Sequence, residues 1–218
     1  MCVDKNLYID SLSYSLKGEK LLNSIYLELS RNMIIGILGK NGSGKSTLLN
    51  IIFGNIKPTF AYMKCDGAVF KKGYKTKLIS FLPQGRLFPY DMLIKDILTF
   101  FSSFHNGFYE IDIIKNNLNN TLYQLSSGES RLVEILIVLY SNRPFCLLDE
   151  PFANLSPLSI DFIKNHIYIL KQEKGILISD HNFRHVMELS DKICLLHNSN
   201  LVNINSYNEL VHYNYVLQ

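Results

Sequence analysis

The sequence of 218 residues lacks the paired cysteines that zinc sites and disulfide frameworks need. Its four cysteines, Cys2, Cys65, Cys146 and Cys194, lie far apart and form no C-x-x-C pair. Scattered thiols of this kind are typical of a reducing cytosol. Cys146 and Cys194 lie in apolar runs, which predicts that they are small core residues.

The sequence also lacks a long hydrophobic run. It nowhere holds 18 consecutive apolar residues, so it predicts no membrane-spanning helix. The densest run, residues 132–140, is short and is interrupted by Glu134. The first five residues contain no apolar stretch of the signal-peptide kind. Any membrane role is therefore expected to come through a partner protein.

A strong excess of one charge is absent as well. The formal net charge is +3, with 47% hydrophobic and 19% charged residues. This composition describes a soluble globular protein with a real core, long enough for one large domain or two small ones. Since the charge is mild, no nucleic-acid partner is expected.

What the sequence does contain is a glycine-rich loop between a predicted strand, residues 33–38, and a predicted helix, residues 46–53. The loop matches the pattern G-x-x-x-x-G-K-[ST]. Glycine backbones let N–H groups approach phosphate oxygens, and the helix N-terminus adds partial positive charge. The loop therefore predicts a nucleotide triphosphate site, formed by Gly39, Lys40, Asn41, Gly42, Ser43, Gly44, Lys45, Ser46 and Thr47.

Two side chains of this phosphate loop (residues 39–47) can bind the phosphates or a metal ion. A later strand ends in two acidic residues. Lys45 places a full charge near the β- and γ-phosphates, and the Ser46 hydroxyl can ligate Mg²⁺. The apolar run 145–148 ends in Asp149, which suits the Mg²⁺ shell, and Glu150, which could polarise the attacking water. The plainer alternative is an ordinary strand that ends in a polar turn before Pro151.

Short strands and helices alternate along the chain, which predicts an α/β fold with the phosphate site at the carboxyl ends of the central strands. Helices are predicted at 46–53, 91–103, 111–118, 129–140 and 158–173. Strands are predicted at 7–14, 25–29, 33–38, within 62–81, at 145–149 and 175–179, and in a hairpin of 192–196 with 201–204.

Residues 125–129, Leu-Ser-Ser-Gly-Glu, precede the most apolar helix. Taken alone, Ser126 and Glu129 form a capping box. In this order and spacing, however, the chain resembles the ABC (ATP-binding cassette) ATPase family from about residue 7 to 217. Residues 39–47 resemble its Walker A motif, 125–129 its LSGGQ signature, and 147–151 its Walker B motif with the catalytic glutamate.

The resemblance implies roles for further residues. Gln84 would complete the Mg²⁺ or water shell, and His181 would hydrogen-bond to the γ-phosphate or the water. Tyr14 would stack on adenine, with a core aromatic as the alternative. The signature loop (residues 125–129) would face the γ-phosphate held by a second subunit, so two ATP molecules would lie between two copies of the chain. The residues that would make this contact are Ser126, Ser127, Gly128 and Glu129.

Three residues depart from the family pattern. Ser127 replaces the first glycine of the signature, which reduces backbone freedom. Glu129 replaces its glutamine and puts negative charge near the phosphates unless the side chain turns back to cap its helix. Ser156 replaces an aspartate expected to link the two sites. Lys45 and His181 match the family, so hydrolysis is still expected.

The resemblance also implies an architecture: a phosphate-loop (RecA-like) core of residues 1–84 and 142–218, with an N-terminal antiparallel β subdomain, and a short helical subdomain of about 85–141. It implies an ATP-hydrolysing ABC transporter subunit that uses ATP and Mg²⁺. Residues 149–153 and 179–182 are most similar to cassettes of lipopolysaccharide export and branched-chain amino-acid uptake.

The expected partners are a second copy of the chain and an integral membrane transporter subunit. The expected location is cytoplasmic, at the inner face of the cell membrane. Two alternatives stay open: a soluble ABC ATPase switch in repair or translation, and a nucleotide-binding module with low turnover.

Overall fold

Two β-sheets organise the chain in the computed structural model, which describes residues 6–216. Residues 1–5, with Cys2, and Leu217 lie outside the described part. The larger sheet has six strands in the order β10-β9-β3-β8-β7-β6. Its strands are β3 (Ile34–Leu38), β6 (Ile79–Leu82), β7 (Phe145–Asp149), β8 (Gly175–Ser179), β9 (Lys192–His197) and β10 (Asn200–Ile204). All neighbours pair in parallel except β10, which forms the predicted hairpin with β9.

The smaller sheet is antiparallel and has the order β2-β1-β4-β5. Its two longest strands pair with each other along most of their lengths. A bulge follows Leu12 and another follows Tyr14, so the alternation of facing side chains shifts near the end of β1. The strands are β1 (Asn6–Leu16), β2 (Glu19–Ser30), β4 (Phe60–Cys65) and β5 (Ala68–Val69).

Eight α-helices lie in the described residues, and three of them are long enough to cover the large sheet. These are α1 (Lys45–Phe53), α5 (Ser127–Tyr140) and α6 (Pro157–Lys171). The others are α2 (Gly73–Thr76), α3 (Ile94–Leu98), α4 (Asp112–Lys115), α7 (Phe183–Leu189) and α8 (Tyr207–His212). Among residues 6–216, no helix is both long and apolar enough to cross a membrane.

The parallel sheet lies between two hydrophobic layers because its strands are apolar on both faces. On one face, Leu148 and Ile178 pack with α3, α5 and α6. On the other face, Leu147 and Leu177 pack with α1 and the antiparallel sheet. A third cluster joins α7, α8 and β9 at one edge. The predicted α/β fold with an antiparallel N-terminal sheet is confirmed.

The helical region between β6 and α5 is smaller than its sequence pattern predicts. Residues 91–103 were expected to be helical, yet α3 covers only Ile94–Leu98. Long-range β-bridges draw the flanking chain away, one from Leu93 to Thr121 and one from Phe104 to Ser141. Helices α7 and α8 were not predicted, since each is short. Both begin at a side-chain cap, Asn182 for α7 and Ser206 for α8.

Candidate nucleotide site

The phosphate loop connects β3 to α1 and follows the path that its glycines allow. Gly42 and Gly44 have φ angles of 79° and 109°, in the left-handed region. Gly44 immediately precedes α1, so the loop ends at a helix N-terminus. The loop borders a cavity of about 430 Å³, which Gln84 and Glu150 also line. Strand, loop and helix therefore have the arrangement that binds phosphate.

Lys45 is the buried cation of this site. Its Nζ donates to the carbonyl oxygen of Gly39 at 2.6 Å and is 3.4 Å from that of Lys40. Burial lowers the pKa of the Lys45 ammonium, and the charges of Glu150 and Asp149 oppose that shift. The hydrogen bond to the loop carbonyl holds the ammonium beside the turn that would receive the phosphates.

Asp149 lies at the end of β7, beside the first turn of α1. Its Oδ1 accepts from the Ser46 hydroxyl at 3.1 Å and from the Ser179 hydroxyl at 2.5 Å. Burial raises the pKa of Asp149, while the two hydroxyl hydrogen bonds lower it. Hard oxygen ligands, with one carboxylate and substrate phosphates, are what Mg²⁺ prefers. The side chains of Ser46 and Asp149 therefore fit the magnesium site predicted from the sequence.

Glu150 receives the predicted catalytic partners from two neighbouring strands. Gln84, which follows β6, donates from Nε2 to Glu150 Oε2 at 2.9 Å. His181, which follows β8, has its Nδ1 3.6 Å from the same oxygen. The Glu150 side chain is 13% exposed and that of His181 is 58% exposed. Three residues that are far apart in the sequence thus meet at the carboxyl edge of the sheet.

The backbone of Glu150 is strained, because its φ of 48° lies in the left-handed region that non-glycine residues rarely adopt. Its N–H donates to the carbonyl of Ser179 at 2.8 Å, which fixes the turn after β7. Strain of this kind persists where the surroundings determine the conformation, and it clusters at functional sites.

The signature loop begins α5 with a complete capping box. The Ser126 Oγ accepts from the N–H of Glu129, and Glu129 Oε2 accepts from the N–H of Ser126 at 2.9 Å. The Glu129 carboxylate therefore caps its own helix, as the capping-box interpretation of the sequence predicts. Ser127 is the first residue of α5, and Gly128 also lies in that helix, so the replacement at Ser127 needs no left-handed backbone.

Ser156 has a comparable local role at the start of α6. Its Oγ accepts from the N–H of Ser159 at 3.2 Å and caps the helix.

The adenine-stacking role expected of Tyr14 stays a prediction. The partly buried ring packs against the hydrophobic cluster between the two sheets and does not line the described cavity at the phosphate loop. Leu16, two residues later and 51% exposed, lines that cavity instead, together with Leu21. A register shift lies between Tyr14 and Ser15, so the facing of side chains changes at this end of β1, which spacing in the sequence cannot indicate.

Sequence reasoning missed two buried charges on α5. Arg131 and Glu134 form an ion pair at 3.3 Å, with side chains 12% and 5% exposed. Arg131 also reaches the backbone around Gln84 and Glu150. A signal for them exists in the sequence, since two opposite charges three residues apart interrupt an otherwise apolar helix.

Comparison with known proteins shows which proteins the chain is similar to. A protein-family model described as "ABC transporter" matches residues 22–153. The lipopolysaccharide export system ATP-binding protein LptB of Haemophilus influenzae is 32% identical over 206 residues, which cover 85% of this chain and 84% of that protein. An uncharacterized ABC transporter ATP-binding protein of Methanocaldococcus jannaschii is 28% identical, over 86% of this chain and 72% of that one.

Solved structures share the fold. An ATP-binding subunit of an ABC transporter superposes with a TM-score of 0.82 at 20% identity, over 97% of this chain and 95% of the other. A bacterial Atm1-family ABC exporter with ATP bound superposes with a TM-score of 0.81 at 18% identity, over 97% of this chain and 41% of that one. Because the family model spans more than half of the chain, the protein belongs to the ABC transporter family, as an ATP-binding domain.

Proposed function

We propose that the chain hydrolyses ATP and acts as the ATP-driven subunit of an ABC transporter, with Glu150 as the general base. The observation that carries this proposal is the meeting of Gln84 and His181 at Glu150, since Gln84 and Glu150 line the cavity that the phosphate loop borders. A site built only to hold a nucleotide has no need of this cluster.

Each group of residues in the site has a separate role. The phosphate loop and Lys45 bind the triphosphate and balance its charge. Gln84 and His181 orient a water molecule next to Glu150, and Glu150 Oε2 takes its proton as the new oxygen–phosphorus bond forms and the bond to ADP breaks. The side chains of Ser46 and Asp149 and the side-chain amide oxygen of Gln84 are the groups that would hold Mg²⁺. When bound, Mg²⁺ supplies positive charge to the phosphate oxygens.

A second copy of the chain would complete each site. The signature loop is exposed at Ser126, Ser127 and Glu129, and it presents the N-terminus of a helix of 14 residues. Such a helix end favours an anion. In this proposal two ATP molecules lie between two copies, and each signature loop faces the γ-phosphate bound to the other copy.

An integral membrane subunit would convert closure and reopening of this dimer into transport, at the cytoplasmic face of the membrane. The similarity to an LptB protein, whose name assigns it to lipopolysaccharide export, supports an export system as the setting. Co-purification of the tagged chain with a multi-span protein from detergent-solubilised membranes tests this step. Recovery of the chain without any membrane protein, under conditions that retain ATP, would contradict it.

Glu150→Gln tests the hydrolytic step. The amide keeps the shape of the side chain but cannot take a proton, so we expect kcat to fall by about 10²- to 10⁴-fold, the usual contribution of a general base. Mg-ATP affinity should stay near that of the wild type, and the variant should accumulate as an ATP-bound dimer in size-exclusion chromatography with light scattering. Glu110→Gln is the control, because that carboxylate is 80% exposed and remote from the site. Wild-type turnover in the Glu150 variant would exclude the proposed base.

A further inference from the structure

We infer that Arg131 and Glu134 are positioning residues for the hydrolytic step, because they join the signature helix α5 to the backbone that carries Glu150 and Gln84. This inference rests on the proposed function, since it assigns Glu150 to catalysis. Neither residue reaches the cavity at the phosphate loop, so any effect must pass through the groups that they hold.

Arg131 contacts four backbone carbonyls on two separate segments. Its Nη2 donates to Pro83 at 3.0 Å and lies 3.4 Å from the carbonyl of Asp149 and 3.5 Å from that of Glu150. Its Nη1 reaches the carbonyl of Gly85 at 3.3 Å. The guanidinium therefore holds the residues on both sides of Gln84 and the peptide units on both sides of Glu150.

Glu134 extends the same connection one turn further along α5. Its Oε2 pairs with Arg131, and its Oε1 accepts from the N–H of Leu87 at 2.8 Å and of Phe88 at 3.2 Å. The carboxylate thereby satisfies two donors of the segment that follows Gln84. The two side chains fix this segment by its carbonyls on one side and by its N–H groups on the other.

Of the basic side chains, only arginine can make these contacts with carbonyls in different directions. The guanidinium is a planar fork of five donors, whereas a lysine ammonium is a compact charge that cannot span carbonyls in different directions. Burial lowers the pKa of Arg131, and the charge of Glu134 opposes that shift. A buried charge of this kind is costly unless it is paired and hydrogen-bonded. The pair therefore does more than fill space, because its hydrogen bonds tie α5 to both segments.

Through α5, these contacts would couple the two nucleotide sites. The signature loop forms the first turn of α5, and Arg131 lies in the next turn. A helix moves as a rigid element over so short a distance. Movement of the signature loop against the second subunit would thus shift the carbonyls of Asp149 and Glu150. The left-handed backbone of Glu150 has little freedom to absorb the change.

The experiment compares Arg131→Met and Arg131→Lys with the wild type in the full chain, measuring Mg-ATP affinity and hydrolysis separately. We expect Arg131→Met to lower kcat by at least about tenfold, which is 1.4 kcal/mol of barrier, while Kd and KM for ATP change less than about threefold. Arg131→Lys should recover only part of the loss. Arg143→Met is the matched control, since Arg143 is also partly buried and donates to one carbonyl, that of Ile79 at 3.3 Å, away from the site.

The outcomes separate this inference from the proposed function. If the wild type binds Mg-ATP but does not hydrolyse it, the proposed function fails. If the wild type is active and a folded Arg131→Met has wild-type kcat, the positioning role is overturned. A parallel loss of affinity and kcat would also overturn it, because that pattern indicates general damage to the fold. Should Arg131→Met fail to fold, Glu134→Gln provides the same test: a lowered kcat with unchanged Kd supports the inference, and a wild-type kcat refutes it.

Discussion

Lys174 gives a prediction about stability that can be worked out in numbers. The side chain is fully buried, directly before β8. Its Nζ donates to the carbonyl of Ser141, just after α5, and to that of Arg143 at 2.9 Å. Burial lowers the pKa of Lys174 from 10.5 to about 8, and the nearby charge of Glu173 opposes that shift. The folded protein therefore holds this proton less tightly than the unfolded chain.

The sign and size of the effect follow from proton linkage. Because the folded pKa is depressed, the contribution to stability is fully present above pH 10.5 and is lost as the pH falls through 8. Between about pH 7 and about pH 9.5, the difference in proton binding amounts to about 2 kcal/mol in the free energy of unfolding. Replacing Lys174 by Met removes this proton-linked term and leaves the other titrating groups in place.

Urea unfolding followed by circular dichroism at these two pH values measures the term. The wild type should gain about 2 kcal/mol relative to Lys174→Met between the lower and the higher pH, whichever protein is more stable at either one. Lys115→Met is the control, because Lys115 is 61% exposed, and its pH dependence should run parallel to that of the wild type. Parallel curves for the wild type and Lys174→Met would refute the reasoning that burial depresses this pKa.

Four further predictions concern the nucleotide site and its frame. Lys45→Ala should weaken Mg-ATP binding at least about tenfold in calorimetry, since it removes the charge held by the loop, and unchanged affinity would contradict that role. Leu16→Tyr should tighten ATP about fivefold in the same assay, because base stacking adds about 1 kcal/mol, whereas weaker binding would place the base elsewhere. Gly36→Ala should cost about 1–3 kcal/mol in urea unfolding, as its new Cβ would lie 2.2 Å from Val186 Cγ1; wild-type stability would refute that close packing. Ser127→Gly should leave kcat within about twofold, because Ser127 already has helical backbone angles, and a large loss would indicate a direct role for its hydroxyl.

Much of the site was predictable, because it depends on local chemistry. The glycines of the phosphate loop, the apolar run before Asp149 and the capping box at Ser126 each describe a local structure within a few residues, and the structure contains each of them. The helix ends in residues 85–126 were harder to predict. There α3 is short, and both Leu93 at its N-cap and Phe104 beyond its end pair with distant residues. The position of Tyr14 relative to the loop is also beyond what sequence spacing indicates, since a register shift follows it in β1.

By itself, the sequence determined the fold class, the phosphate loop and the strand ends that carry the acids, because these depend on short-range periodicity, on glycine and on residue chemistry. Only the tertiary structure decided that Gln84 and His181 meet at Glu150, that Leu16 lines the cavity at the loop, and that Arg131 joins α5 to the backbone of Glu150. Those contacts connect residues up to 66 positions apart, and their geometry depends on strand order and helix packing, which no local pattern encodes.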